Sequence, residues 1–440
     1  MTSIGAMQTN VQSRRSFLKR IAGVGAALAF PALVPSCVLG GLSAPSNRIT
    51  MGAIGTGGRG KGVMRIFLDH ADLQMIAVCD VDRERRESAK EMVDKHYKNT
   101  DCAQYGDFRE LLARPDIDTV LIATPDHWHA LCVIAACKAG KDIYCEKPFA
   151  ASIAEGRAAA DAVKRYGRIL QVGSHERSRK PCRFACELVR NGYIGQLRKM
   201  TVNLPVDYPH TTGIEPPEPV PAGFDYDMWL GPAPYEPYTK KRCHTTFRFI
   251  QDYTPGEIID RGAHVCDLAQ WGNGTTLTGP IEIEGQGVFP SEGLFDTAIE
   301  YDIHARYANG VKLHITHNAP RGVKFEGDEG WVFIHVHGGN LEANPPSLLR
   351  VQIPATGVHL YDETNDHQKN FLNCVRTRQE PIAPAESGHR TASLCHLANI
   401  AMVLGRKLRW NPDAERFVGD RQADAMIGKP MRAPWTLDCF

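Results

Sequence analysis

Hydrophobic positions along the chain fall into three regimes. An unbroken apolar stretch runs from Ile21 to Val34. Between residues 49 and 172, short apolar runs at 49–54, 73–79, 119–123, 143–145 and 169–172 read as buried strands. They alternate with segments of helical period, one through Val63, Ile66 and Phe67 and others at 83–95, 128–139 and 153–166. This alternation predicts a doubly wound parallel sheet, in which ligands bind beyond the carboxyl ends of the strands. After Gly173 the alternation stops. Strand-like runs at 197–203, 280–288, 297–307, 311–317 and 330–337 predict a large, open, mostly antiparallel sheet with helices. Residues 366–408, with Phe371, Leu372 and Val375 on one face, predict helix packing back on the first domain. The expected class is therefore α/β: an N-terminal Rossmann domain over 45–172 and a C-terminal α+β domain over 173–440.

The 440 residues suit two or three domains, and 43% hydrophobic with 23% charged residues is ordinary globular usage. Lys plus Arg total 51 against 50 Asp plus Glu, a formal charge of +1, so no global field draws the chain to nucleic acid. The thirteen cysteines are scattered without a CxxC pair, and several sit in apolar runs. Buried thiols are expected rather than a zinc cluster, with a bridge between distant cysteines as the alternative.

Ser13-Arg14-Arg15-Ser16-Phe17-Leu18-Lys19 precedes the apolar stretch, which is short for a membrane span but suits a signal segment. Gly23, Gly25, Pro31 and Pro35 interrupt any amphipathic helical face there. Residues 1–44 are expected to be a twin-arginine leader engaging that export machinery, which implies a periplasmic or exported product. Ser36-Cys37 is a weak site for lipid anchoring.

Chemistry enters directly after the leader. Strand 49–54 runs into Gly55-Thr56-Gly57-Gly58-Arg59-Gly60 and then a helix, the order in which glycines allow a tight turn and close approach of backbone to a pyrophosphate. The second strand ends at Asp80, twenty residues beyond Gly60, where a carboxylate can accept from ribose hydroxyls; the alternative is a helix cap. A dinucleotide is implied, NAD in preference to NADP, although Arg83, Arg85 and Arg86 leave a 2'-phosphate open. Two further loops follow strands: Thr124-Pro125-Asp126-His127-Trp128-His129 and Glu146-Lys147-Pro148. His127 and His129 suit cofactor packing or capping better than metal ligation. Lys147 can hydrogen-bond or exchange a proton with a substrate hydroxyl, unless it merely pairs with Glu146 on the surface. Asp260 and His264, four apart after Tyr253-Thr254-Pro255-Gly256, are expected on one face of a helix start. There they form an acid–base pair or, on the alternative reading, a cap and a core histidine. Arg177 is a candidate for holding substrate oxygens or a surface ion pair. Tyr208, Trp229, Tyr235, Tyr238, Phe247 and Tyr253 are candidate sugar platforms.

These motifs, with Asp260-Arg261-Gly262-Ala263-His264, Trp229-Leu230-Gly231-Pro232-Ala233-Pro234 and Gly388-His389-Arg390-Thr391-Ala392, resemble the glucose–fructose oxidoreductase and inositol dehydrogenase (Gfo/Idh/MocA) family, and within it the secreted branch. The resemblance covers essentially everything after the leader. It implies catalytic roles for Lys147, Asp260 and His264, and a substrate domain whose sheet carries homo-oligomer contacts. It also implies hydride transfer at a hydroxyl carbon of a sugar, glycoside or cyclitol by a nicotinamide cofactor retained through turnover. Redox-neutral glycoside cleavage through transient oxidation, and non-catalytic sugar binding, stay open as alternatives.

Overall fold

The computed structural model describes residues 47–206, 212–360 and 365–438; the leader, Cys37 and Tyr208 lie outside the described residues. Six parallel strands, β1 (Ile49–Ile54), β2 (Leu73–Cys79), β3 (Ala103–Tyr105), β4 (Thr119–Ile122), β5 (Asp142–Cys145) and β6 (Leu170–Val172), form the first sheet in the order β3-β2-β1-β4-β5-β6. The reversal of direction at β1 and β4 opens the crevice in which such sheets bind dinucleotides. β4 and β5 are buried at every position, which is why they read as continuous apolar runs. β3 escaped the sequence reading because it is a three-residue edge strand with no buried position. Helices Gly58–Leu68, Arg83–Tyr97, Asp126–Lys138 and Ile153–Tyr166 connect the strands, with a short helix Phe108–Leu112 between β3 and β4. Asp82 caps the helix Arg83–Tyr97 by accepting from the amides of Glu84 (3.0 Å) and Arg85 (3.4 Å), so Asp80 is not the cap.

The second sheet has nine strands: β7 (Leu197–Asn203), β8 (Glu282–Val288), β9 (Glu300–Arg306), β10 (Lys312–Thr316), β11 (Gly322–Gly327), β12 (Trp331–His335), β13 (Leu341–Asn344), β14 (Leu408–Asn411) and β15 (Arg416–Phe417). Their order is β13-β12-β11-β7-β10-β9-β8-β14-β15, antiparallel except for the β7–β10 pair. Along β9, Tyr301, Ile303 and Ala305 point inward between exposed residues, the alternation of a sheet covered on one face. Helices Gly262–Asn273 and Ala385–Leu404 lie against it.

The stretch of helical periodicity from 366 to 408 forms two helices. His367–Thr377 ends at Arg378, which has φ +59°, and Ala385–Leu404 follows after a break. The first of these packs on the N-terminal sheet, with Phe371 edge-on to Phe67 and Tyr144 and with Arg376 paired to Asp72 at 2.7 Å. The C-terminal tail also returns. Arg432 donates to the carbonyls of Gly231 (Nε, 3.0 Å) and Pro232 (backbone N–H, 2.8 Å), and Trp435 packs edge-on to Trp128 at 4.8 Å. All eleven described cysteines are buried.

Candidate active site

The glycine loop is built by exclusion. Gly55 has φ +84°, and a Cβ there would lie 2.5 Å from the Thr124 amide nitrogen; one on Gly60 would lie 2.0 Å from the Gly55 carbonyl oxygen. Neither position tolerates a side chain, so loop, strand and helix meet at backbone contact. The following helix has no acidic residue in its first turn and no side-chain cap, which leaves its N-terminal amides for an anion. Asp80 accepts from the Thr56 amide at 2.7 Å and the Asp82 amide at 3.0 Å, holding its carboxylate at the cleft edge.

A cleft of about 500 Å³ runs from this loop to the second sheet's helices. Gly55, Gly57, Gly58, Arg59, Gly60, Asp80, Thr124, Pro125, His129, Glu146, Lys147, Asp260 and His264 all line it. The donor set fits a dinucleotide: a glycine cradle that a Cβ would fill, free helix amides, and an acid at the end of β2. Glu146 is buried and pairs with Arg59 of the glycine loop at 2.8 Å. Lys147 turns away from it and crosses the cleft, donating to both Oδ1 (2.6 Å) and the carbonyl (2.7 Å) of Asp260. The Glu146–Lys147 surface pair is thus replaced by two cross-links, each tying one motif to a distant one. His129 spans the carbonyls of Pro148 (2.6 Å) and Thr124 (2.9 Å) and so fixes the two post-strand loops to each other.

Asp260 and His264 do not share one helix start. Asp260 closes the short helix Glu257–Asp260, and after a break at Arg261 the helix Gly262–Asn273 carries His264 in its first turn. Both still line the cleft. Although burial opposes ionisation, the Lys147 ammonium and the Arg248 guanidinium, whose Nε is 3.2 Å from Oδ1, hold the Asp260 carboxyl well below the usual range. Burial, then the charges of Lys147 and the neighbouring imidazoles, hold the His264 pKa well below its ordinary value, so its ring is neutral near pH 7. Its Nδ1 is buried without a hydrogen-bond partner.

Several expected contacts are corrected. Arg177 is 3% exposed and bidentate to Asp267 (2.7 and 2.6 Å), with a third bond to the Ile382 carbonyl at 2.9 Å. It is committed to a buried ion pair and does not line the cleft. Tyr253 is 0% exposed, packed against His127 and Trp229, with its hydroxyl accepting from Arg242. It can present no face to a sugar. Thr56 and His127 are also behind the wall: Thr56 is spent on Asp80, and His127 Nε2 faces the Trp229 carbonyl at 2.9 Å. Of the aromatic platforms, Trp229 and Phe247 line the cleft, while Tyr238 is buried and Tyr235 is exposed elsewhere. Gly231 explains the Trp-Leu-Gly-Pro motif, since a Cβ there would lie 2.2 Å from the Trp128 ring.

Sequence reasoning missed Arg248, His244 and His337, which also line the cleft. It missed as well the segment that closes the nucleotide end. The Asp225 amide donates to the Val81 carbonyl (3.0 Å), the Arg83 amide donates to the Gly223 carbonyl (3.0 Å), Phe224 pairs with Asp82 in an antiparallel bridge, and His244 Nε2 lies 3.9 Å from the Asp82 carboxylate. No local pattern marks residues 223–225, because their partners Val81, Asp82 and Arg83 are more than a hundred positions away.

Fold and cleft together define a two-domain NAD-binding oxidoreductase. The chain belongs to the Gfo/Idh/MocA family: residues 49–174 match the model of the oxidoreductase family's NAD-binding Rossmann fold and residues 187–437 that of its C-terminal alpha/beta domain. It is 31% identical over 375 residues to the myo-inositol 2-dehydrogenase of Thermotoga maritima, covering 79% of this chain and 96% of that one. A glycosyl hydrolase family 109 protein of Solibacter usitatus is 33% identical over 150 residues, 32% of this chain and 34% of that protein. Among solved structures, levoglucosan dehydrogenase in complex with NADH and levoglucosan shares the fold with a TM-score of 0.59, at 20% identity, over 82% of this chain and 99% of that one.

Proposed function

We propose that the protein is exported through its twin-arginine leader, keeps NAD(H) bound, and moves a hydride to or from a hydroxyl-bearing carbon of a sugar, glycoside or cyclitol. The observation that carries this reading is the meeting of Lys147, Asp260 and His264 at one end of a dinucleotide-shaped cleft. When bound, the nicotinamide ring supplies the hydride acceptor or donor. Neutral His264 takes the hydroxyl proton, and the Lys147 ammonium, oriented by Asp260, donates to the substrate oxygen as charge develops there. Trp229 and Phe247, each 4% exposed, contribute apolar edges rather than open faces to the cleft. The names of the inositol and levoglucosan dehydrogenases support a polyol substrate. Retention is supported by the segment closed over the nucleotide end, and it suits a compartment where a lost cofactor is not replaced. Asp80 at the ribose position favours NAD over NADP. The protein assembles as a homo-oligomer through the open face of the nine-stranded sheet, which its mass in solution checks.

The exported protein, purified without added nucleotide, is expected to carry stoichiometric NAD(H) and to change its bound-nicotinamide absorbance with selected sugars. An empty site without saturable NADH binding refutes the proposal. The glycosyl hydrolase relative favours a second reading, redox-neutral glycoside cleavage from the same site. Free sugar released from an aryl glycoside without net change in nicotinamide absorbance decides for it.

A further inference from the structure

Three histidines from segments far apart in the chain converge at the substrate end of the cleft. His175 follows β6, His264 opens the helix Gly262–Asn273, and His337 lies just past β12. One ring nitrogen of each lies within 4.8 Å of the other two. The His264 ring centroid is 4.7 Å from that of His175 and 5.2 Å from that of His337, both edge-on, so the rings surround a point and do not stack.

We propose that His175, His264 and His337 form a three-imidazole site for a divalent transition-metal ion of the zinc and cobalt class, with a coordination position open to the substrate oxygen. Four observations carry this. The Nδ1 atoms of His175 and His264 are buried without hydrogen-bond partners, a cost that a ligand would remove. His337 sits in the turn between β12 and β13 with φ +69°, and this turn brings its ring to the cluster. Glu176, 1% exposed, lies 3.3 Å from His175 Nε2, the carboxylate–histidine pairing that orients metal ligands and adds negative charge beside the ion. All three rings line the same cleft as Lys147 and Asp260. Three protein nitrogens and one free position make the arrangement of a catalytic rather than a structural site. Bonds of about 2.0–2.1 Å need the nitrogens roughly 3.4 Å apart, a closure reached by modest ring rotation.

The site stands without the functional reading above; its use in turnover rests on that reading. An ion there takes over the role given to the free His264 ring. A coordinated hydroxyl gives its proton to bulk water, its C–H bond breaks as hydride passes to NAD⁺, and a C=O bond forms, yielding ketone, NADH and one proton. Polyols that present a neighbouring oxygen to the ion gain affinity.

The test is Co²⁺ titration of the full-length protein, stripped by chelator and loaded with NADH, together with metal analysis as purified. About one equivalent of zinc-class metal per chain is expected, together with a saturable visible d–d band of tetrahedral Co²⁺. Co²⁺ affinity is expected to fall at least about tenfold in His337→Ala and in Glu176→Gln, with NADH binding kept. Native protein that binds NADH but holds no metal and shows no saturable band overturns the proposal, whether or not the variants fold. So does a band that survives His337→Ala and disappears in His314→Ala, because that places the ion on the exposed Asp302–His304–His314 cluster. Failure of the oxidoreductase reading looks different: the band is present while NADH binding or sugar turnover is absent.

Discussion

The two walls of the cleft are built on opposite plans. The wall formed by the ends of β1, β2, β4 and β5 is made of backbone: glycines at van der Waals limits, helix amides, and side chains such as His129 spent on carbonyls. The facing wall, from Arg248 to His337, is made of charge and imidazole around the buried Asp260 and His264, with Asp260 drawing both Lys147 and Arg248. The first wall determines where a nucleotide lies. The second determines what happens beside it, and it depends on single side chains that cannot be exchanged without leaving a buried partner unpaired.

Variants can break or sharpen this contrast. The largest expected effect is Lys147→Ala, which removes a group proposed to touch the reacting oxygen. Turnover should fall by about 10²–10⁴-fold while NADH binding, which rests on the glycine loop and helix amides, changes little. Single-turnover absorbance and equilibrium NADH fluorescence measure the two separately. Asp267→Asn comes next. It strips the partner from the buried Arg177 guanidinium and is expected to cost about 3–5 kcal/mol of stability, read in urea unfolding. If Arg177 instead held substrate, the loss would appear in KM with stability intact.

The third effect concerns pH. His127, His367 and His396 are buried, each with its pKa lowered to about 3, chiefly by desolvation. The unfolded chain binds protons at these rings from about pH 6.5 downward and the folded chain does not, so stability is full above that pH and declines below it. Each ring contributes a slope of about 1.4 kcal/mol per pH unit between about 6 and 3. His367→Gln should flatten the profile by one such increment. The smallest effect is expected from Tyr253→Phe, which loses one long bond to Arg242, at 3.4 Å, and leaves turnover unchanged. A large rise in KM would return Tyr253 to the substrate surface.

The same contrast separates what the sequence revealed from what it concealed. The backbone wall is legible because its causes are local: a strand buried on both faces is an apolar run, and a loop that excludes Cβ atoms is a glycine cluster. Asp260 and His264 were found at the right place but assigned one continuous helix, since nothing local marks the break at Arg261. Arg177 and Tyr253 were misread for the complementary reason. An arginine after a strand and a tyrosine beside a catalytic motif look available until the chain brings Asp267 and Arg242 against them. His175 and His337 illustrate the limit. A turn residue and a residue after a strand become neighbours only because two sheets share one crevice, and no spacing rule connects positions 162 apart.

The returning tail has a practical consequence. Arg432 donates to the carbonyl of Gly231, the residue flattened against Trp128, and Trp435 packs edge-on to the same indole. Trp128 belongs to the loop and helix that border the nucleotide, so the segment from Arg432 to Trp435 acts as a latch on the catalytic crevice from outside. Shortening the chain before Arg432, or fusing a partner that pulls on it, will be felt first as looser grip on the coenzyme, well before the protein fails to fold.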